Sequence, residues 1–148
     1  MREHSQRDVI VIGAGVAGLT AALHLSKQDL QVTLLDGAVQ PGAENWSGCA
    51  FFGENLASEE ILGPDWMKET AIERPLVSRG VFMNNGTHCA GMTFKDAETF
   101  RNCATVLRPV FDHDLAEIAR AQGVEILSKH TAPPPIYTKQ RVIAATPR

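Results

Sequence analysis

Several features that would point away from an ordinary α/β domain are missing from this sequence. There is no surplus of positive charge: 14 Lys and Arg stand against 17 Asp and Glu, a formal net charge of −3. Without a basic stripe, nucleic acid is not expected as a partner. Cys49, Cys89 and Cys103 are odd in number, lie far apart and form no CxxC pair. Neither a disulfide framework nor a zinc or iron–sulfur site fits that spacing. The five histidines are scattered likewise, so no metal site is expected, and no internal repeat is present. A long hydrophobic run is lacking too. The apolar stretch from Val9 to Leu25 falls short of the roughly 20 residues a spanning helix needs. Gly13, Gly15 and Gly18 interrupt it, each weakening a helix by about 1 kcal/mol relative to Ala. Arg2 and Arg7 precede it as the basic start of a signal peptide would, yet no Ala-x-Ala-like cleavage site follows Leu25. An export or membrane segment is therefore disfavoured, and a cytoplasmic location is the expectation.

What is there explains the same stretch differently. Val9 to Ile12 is a β-branched run suited to a strand buried on both faces. Gly13-x-Gly15-x-x-Gly18 follows at once, and Leu19 to Gln28 is helix-forming. On that helix Thr20, His24, Lys27 and Gln28 form a polar stripe, leaving Ala17, Ala21, Ala22 and Leu25 to pack on a sheet. A second strand, "QVTLLD", ends in Asp36, eighteen residues beyond Gly18. This is a βαβ unit with a dinucleotide fingerprint. Gly13 permits the tight turn, Gly15 lets a pyrophosphate approach bare backbone, and Gly18 lets the helix sit close to the strand. The helix start offers N–H groups and a positive dipole end to phosphate. Asp36 is placed to accept hydrogen bonds from a ribose diol, and its charge disfavours the 2′-phosphate of NADP. NAD and FAD both remain.

The next stretch departs from a plain nicotinamide fold. A loop rich in Gly, Pro and Asn, "DGAVQPGAENWSG", precedes an expected short helix around Asn55 to Leu62. Two strand-like runs, "LVSRGVFMN" and "CAGMTF", are then joined at "NNGTH". Asn-Gly signals a hairpin because both central residues can take positive φ.

Two stretches together carry a resemblance. Residues 8–48, "DVIVIGAGVAGLTAALHLSKQDLQVTLLDGAVQPGAENWSG", resemble the amino-terminal FAD-binding segment of the electron-transfer-flavoprotein dehydrogenase group. That group includes the flavoprotein–quinone oxidoreductases, the FixC proteins and the geranylgeranyl reductases. Residues 106–127, "VLRPVFDHDLAEIARAQGVEIL", are similar to the same group's Arg-x-x-Phe-Asp-x-x-Leu pattern, which opens a helix and leads into a strand. The resemblance covers residues 8–131. It implies an α/β, Rossmann-like FAD-binding domain of the two-dinucleotide-binding type with an inserted β-hairpin. It also implies FAD as cofactor, with Gly13, Gly15, Ala17 and Gly18 at the pyrophosphate and Asp36 on the adenosine ribose. The loop Pro41 to Gly48 would run beside the flavin, with Asn45 and Gly48 as contacts. Arg108 would reach the ribityl-phosphate region, and Ala132 would lie near adenine. The implied activity is electron transfer from an electron-transfer flavoprotein toward quinone, or isoprenoid reduction in the geranylgeranyl-reductase version. Full-length relatives that meet quinone touch the membrane surface.

Other residues receive structural readings. Asp112 and Asp114 are expected to cap the helix that runs to Ala121. Trp46 and Phe51 are open to core packing or to stacking near the flavin, and Cys49 is expected to be buried and inert. Asp29 stands where the group often has glycine at the end of the first helix, and Asp tolerates the left-handed region. No catalytic acid or base is identified. The expected organisation is a polar lead over 1–7, the FAD-binding domain over 8–132 with its hairpin near 76–94, and a Pro-rich tail over 133–148. The group's chains are much longer, so the domain is expected to be incomplete at its carboxyl end. A non-catalytic dinucleotide-binding fragment, or one piece of a split protein acting with a complementing chain, is the alternative.

Overall fold

β1 (Val9–Ile12), α1 (Val16–Ser26) and β2 (Val32–Asp36) form the first unit, with β1 and β2 parallel from Val9↔Val32 to Ile12↔Leu35. The computed structural model describes residues 7–132, 134, 136–137 and 142–143. After β2 come β3 (Gly48–Phe52), α2 (Trp66–Glu69), β4 (Arg74–Pro75), β5 (Arg79–Asn84) and β6 (Cys89–Phe94). Then follow α3 (Ala97–Phe100), β7 (Cys103–Leu107), α4 (Arg108–Ala121) and β8 (Glu125–Ser128), with β9 (Ile136–Tyr137) and β10 (Val142–Ile143) last.

β8 pairs parallel with the other edge of β2, giving the strand order β1-β2-β8. A second sheet is antiparallel, order β3-β7-β4, and the hairpin β5–β6 stands as its own two-stranded sheet. α1 packs against α4 beside the parallel sheet. The core joins Leu19, Ala22 and Leu23 of α1 to Leu34, Val106, Phe111 and Leu115. Fully burying each of these Leu, Val and Phe side chains is worth roughly 1.5–3 kcal/mol. Phe51, Trp66 and Phe111 form an aromatic trio with centroids 5.0–6.4 Å apart.

Several expectations are corrected. β1 is not buried on both faces: Ile10 and Ile12 project from an open face, whereas β2, with a neighbour on each edge, is buried from Val32 to Leu35. The buried face of α1 is Leu19, Ala22 and Leu23, spaced by three and one, whereas Ala17 and Ala21 point outward. Residues 54–62 form successive turns instead of a helix. The carbonyl of Ser58 takes the N–H groups of both Ile61 and Gly63, and Pro64 follows. The first helical segment after them is α2. The hairpin forms as read, but Asn84 pairs with Cys89, so the connection is four residues, Asn85 to His88. Only Gly86 takes positive φ there (94°). The Asn85 side chain instead accepts from the N–H groups of Thr87 and His88, which shapes the turn by hydrogen bonding.

Asp29 does adopt the left-handed conformation, at φ 58°. In the region read as a tail, β9 and β10 pair antiparallel. Pro133, Pro135 and most of that region lie outside the described residues, as does the lead before Arg7. Among the described residues no helix is long and apolar enough to cross a membrane.

Candidate dinucleotide-binding site

The three glycines of the first turn answer to three different constraints. Gly13, whose N–H donates to Leu35 O at 2.7 Å, has φ 99°, a conformation that strains any L side chain. Gly18 sits so close to the turn that a Cβ there would lie 1.9 Å from Gly13 O. Gly15 is different. Its φ of −81° suits any residue, and a Cβ would meet only Arg108 Nη2, at an ordinary 3.8 Å. Among the described residues nothing demands glycine at that position.

Gly15 is also the N-cap of α1, and no side chain among the described residues caps the helix. The first-turn N–H groups are thus left without a capping acceptor, at the positive end of the helix dipole. Asp36, at the end of β2, braces this turn. Its Oδ2 accepts from Ala14 N and its Oδ1 from Ala38 N, the latter at 2.7 Å. An ionised carboxylate has about four lone-pair sites, so capacity for a ribose hydroxyl remains.

Arg108 reaches this turn from the first position of α4. Its Nε and Nη2 donate to Asp112 Oδ1 and Oδ2 at 2.8 and 2.9 Å, and Asn45 Nδ2 donates to Oδ2 at 2.5 Å. Asp112 is fully buried and Arg108 partly so. Hydrogen bonding to Asp112, which accepts from the guanidinium, pushes the Arg108 pKa upward against the opposing effect of burial. The expected capping role of Asp112 and Asp114 is corrected here. Because α4 begins at Arg108, Asp112 falls in the second turn, facing the arginine four residues earlier. Asp114 accepts from Ala71 N at 2.6 Å, tying the segment after α2 to the helix.

A groove of about 860 Å³ runs along α1 past Val16, Ala17 and Thr20, bounded by Phe51, Leu56 and Arg108. Of the residues expected at the site, the structure brings together Gly13, Gly15, Gly18 and Asp36 at the turn, with Arg108 beside Gly15 and Ala17 on the groove wall. Asn45 belongs to the Arg108 cluster through Asp112. Gly48 starts β3 beside Leu107, and Ala132 lies half-buried beyond β8. Trp46 is 93% exposed, which rules out core packing, whereas Phe51 belongs to the aromatic trio. Cys49 is half-buried, not buried as expected. Asp112 was missed as a site residue, and its signal was the Arg-to-Asp spacing of four on one helix. No cluster among the described residues could hold a metal ion.

Comparison with known proteins gives the site its context. The model of the Thi4 family matches residues 1–76. The FixC protein of Bradyrhizobium diazoefficiens is 31% identical over 128 residues, covering 84% of this chain and 28% of that protein. The probable electron transfer flavoprotein-quinone oxidoreductase YgcN of Escherichia coli is 33% identical over 120 residues, covering 81% and 27%. The chain therefore spans under a third of the length of these curated relatives. Among solved structures, a geranylgeranyl bacteriochlorophyll reductase-like protein of Thermoplasma acidophilum matches with a TM-score of 0.69 at 18% identity, covering 93% of this chain and 36% of that one. The myxobacterial chondrochloren halogenase CndH, a variant of the FAD-dependent halogenases, matches at 0.65 and 22%, covering 92% and 31%. These structures bear out the Rossmann-like fold of FAD-binding flavoproteins, and the curated relatives bear out the resemblance to the FixC and flavoprotein–quinone oxidoreductase group. With more than half of its length, the glycine turn and Asp36 included, inside the matched span, the chain belongs to the Thi4 family.

Proposed function

We propose that this chain binds FAD and serves an oxidoreductase that carries electrons from an electron-transfer flavoprotein toward a quinone. The observation that carries the binding reading is Gly15, a glycine the fold does not require, at an uncapped helix start with a guanidinium beside it. Bare backbone there leaves room for a diphosphate, whose charge meets helix N–H groups and Arg108. In this reading Gly13 and Gly18 shape the cradle, Ala17 flanks it, and Asp36 accepts from the adenosine ribose. Ala132 lies toward adenine, and the loop from Asn45 to Gly48 lies toward the flavin end. FAD, when bound, supplies the redox chemistry, and the chain's residues bind it, orient it and balance its charge. The relatives named FixC and YgcN, and the FAD-dependent CndH, support this reading.

The purified protein is expected to be yellow, or to take up added FAD, with a visible spectrum bleached by dithionite. Gly15→Val is expected to fold normally and lose the flavin. Folded, colourless protein that ignores FAD overturns the binding reading. The electron path is tested separately by following quinone reduction with a reduced electron-transfer flavoprotein as donor. Flavin-loaded protein that leaves the quinone oxidised overturns the path and leaves the binding reading standing. In a second reading, the chain is a dinucleotide-binding module over residues 8–132 that works with a complementing chain. One observation favours it: β1 has no neighbour on its outer edge among the described residues.

A further inference from the structure

We infer that Asp112 is a positioning residue, seated by Asn45, which clamps the Arg108 guanidinium so that its outward N–H groups face the phosphate site at Gly15. This inference rests on the FAD-binding reading above. A carboxylate with no exposed surface is costly to bury unless it is paired and hydrogen-bonded. Asp112 meets that condition with three donors, two from the Arg108 fork and one from the Asn45 amide. The two-point grip fixes the plane of the guanidinium, which a single contact would not do. Arginine carries five N–H donors. Two face Asp112, and the remaining three sit on Nη1 and Nη2, the latter 3.8 Å from where a Gly15 Cβ would be. A guanidinium already fixed loses little freedom when an anion arrives, and that preorganisation strengthens binding.

The loop Pro41 to Gly48 closes the clamp. Pro41 is fully buried, and Gly42 (φ 84°) approaches α4 so closely that a Cβ would lie 2.6 Å from Pro109 O and 3.1 Å from Asp112 Cβ. Asn45 N donates to Gly42 O, and Arg108 N donates to Ser47 O at 3.0 Å. The loop thereby lays Asn45 over the buried carboxylate and holds the start of α4 in place. Asn45 thus acts on the cofactor through Asp112 and Arg108, with one of its two amide N–H groups committed to the carboxylate.

The test titrates FAD against the wild-type chain, Asp112→Asn, Arg108→Met and the double variant, reading flavin fluorescence, with circular dichroism to confirm folding. Loss of a charge-assisted contact to phosphate weakens binding by roughly tenfold or more. Both single variants are expected to show that loss, and the double variant is expected to bind no worse than Arg108→Met. Asp112→Asn binding as the wild type does, or adding its full cost on top of Arg108→Met, overturns the inference. Asn45→Ala, which leaves the ion pair intact, serves where Asp112→Asn does not fold and is expected to show a smaller loss in the same direction. A measurement without ligand separates this from the binding reading. The Arg108 Nε–H is expected to be a protected resonance in the wild type that is lost in Asp112→Asn. If the wild type shows that resonance but binds no FAD, the FAD reading falls and the clamp stands; if it binds FAD with Arg108 freely averaging, the clamp falls alone.

Discussion

The seam between α1 and α4 and the hairpin β5–β6 are both rich in apolar side chains, yet they treat them in opposite ways. At the seam, Leu19, Leu23, Phe111 and Leu115 are all fully buried, and even the carboxylate of Asp112, on the same helix as the last two, has no exposed surface. In the hairpin every residue of both strands is exposed. Val81, Met83, Met92 and Phe94 share one face and are each more than half exposed. The seam gathers residues distant in the chain, so its stability comes from long-range burial. The hairpin relies on neighbours: a six-pair ladder, a turn shaped by Asn85, and the Phe82 ring lying across Gly80 and Gly91. A two-stranded hairpin is only marginally stable alone. Apolar content therefore says little about where a chain is held together, and partners distant in sequence say much more.

That contrast can be broken or sharpened by mutation. Phe111→Ala, which removes one ring of the aromatic trio, is expected to lower unfolding free energy by about 4 kcal/mol in a denaturant titration. A loss under about 1 kcal/mol would show that the seam relaxes around the gap instead of bearing the fold. Gly18→Ala, whose methyl group would collide with Gly13 O, is expected to cost roughly 3 kcal/mol; unaltered stability would mean that α1 can slide away from the turn. Phe82→Ala is expected to cost under about 1 kcal/mol globally while speeding amide exchange within the hairpin. A loss matching that of Phe111→Ala would place the hairpin inside the same cooperative unit.

The smallest effect is expected just after the hairpin. Asp96 caps α3, accepting from the N–H groups of Glu98 and Thr99 and from the Thr99 hydroxyl. Bonding to that hydroxyl, with help from the two N–H groups, holds its pKa below the ordinary Asp value. Its stabilising contribution is therefore present above the ordinary Asp range and fades as pH falls through the lowered value. The gap in Tm between the wild type and Asp96→Ala should persist at neutral pH and close on acidification. A gap that stays constant into strong acid would show that the cap does not act through the carboxylate's charge.

Much of the site was legible because it rests on neighbours in the chain. The glycine spacing, the strand before it and Asp36 after it lie within thirty residues, and Asp29 in the left-handed region followed from the same local logic. Burial was less legible. Ile10 and Ile12 look like core residues in sequence, but which strand has a neighbour on each edge depends on where β8 docks. Ala17 and Ala21 were assigned to the sheet side of α1 from spacing alone, and Leu19, Ala22 and Leu23 took that place. Residues 54–62 have helical composition, yet their hydrogen bonds resolve into turns that close on Gly63.

By itself, the sequence determined the βαβ unit with its glycine turn and the hairpin. Each follows from steric and hydrogen-bonding preferences acting over a few residues. Only the tertiary structure decided that Asp112 is a buried anchor and not a helix cap, and that Asn45, 67 residues away in sequence, completes it. A carboxylate's role depends on which donors stand within hydrogen-bond reach once water is excluded. That is settled when the Pro41–Gly48 loop closes onto α4.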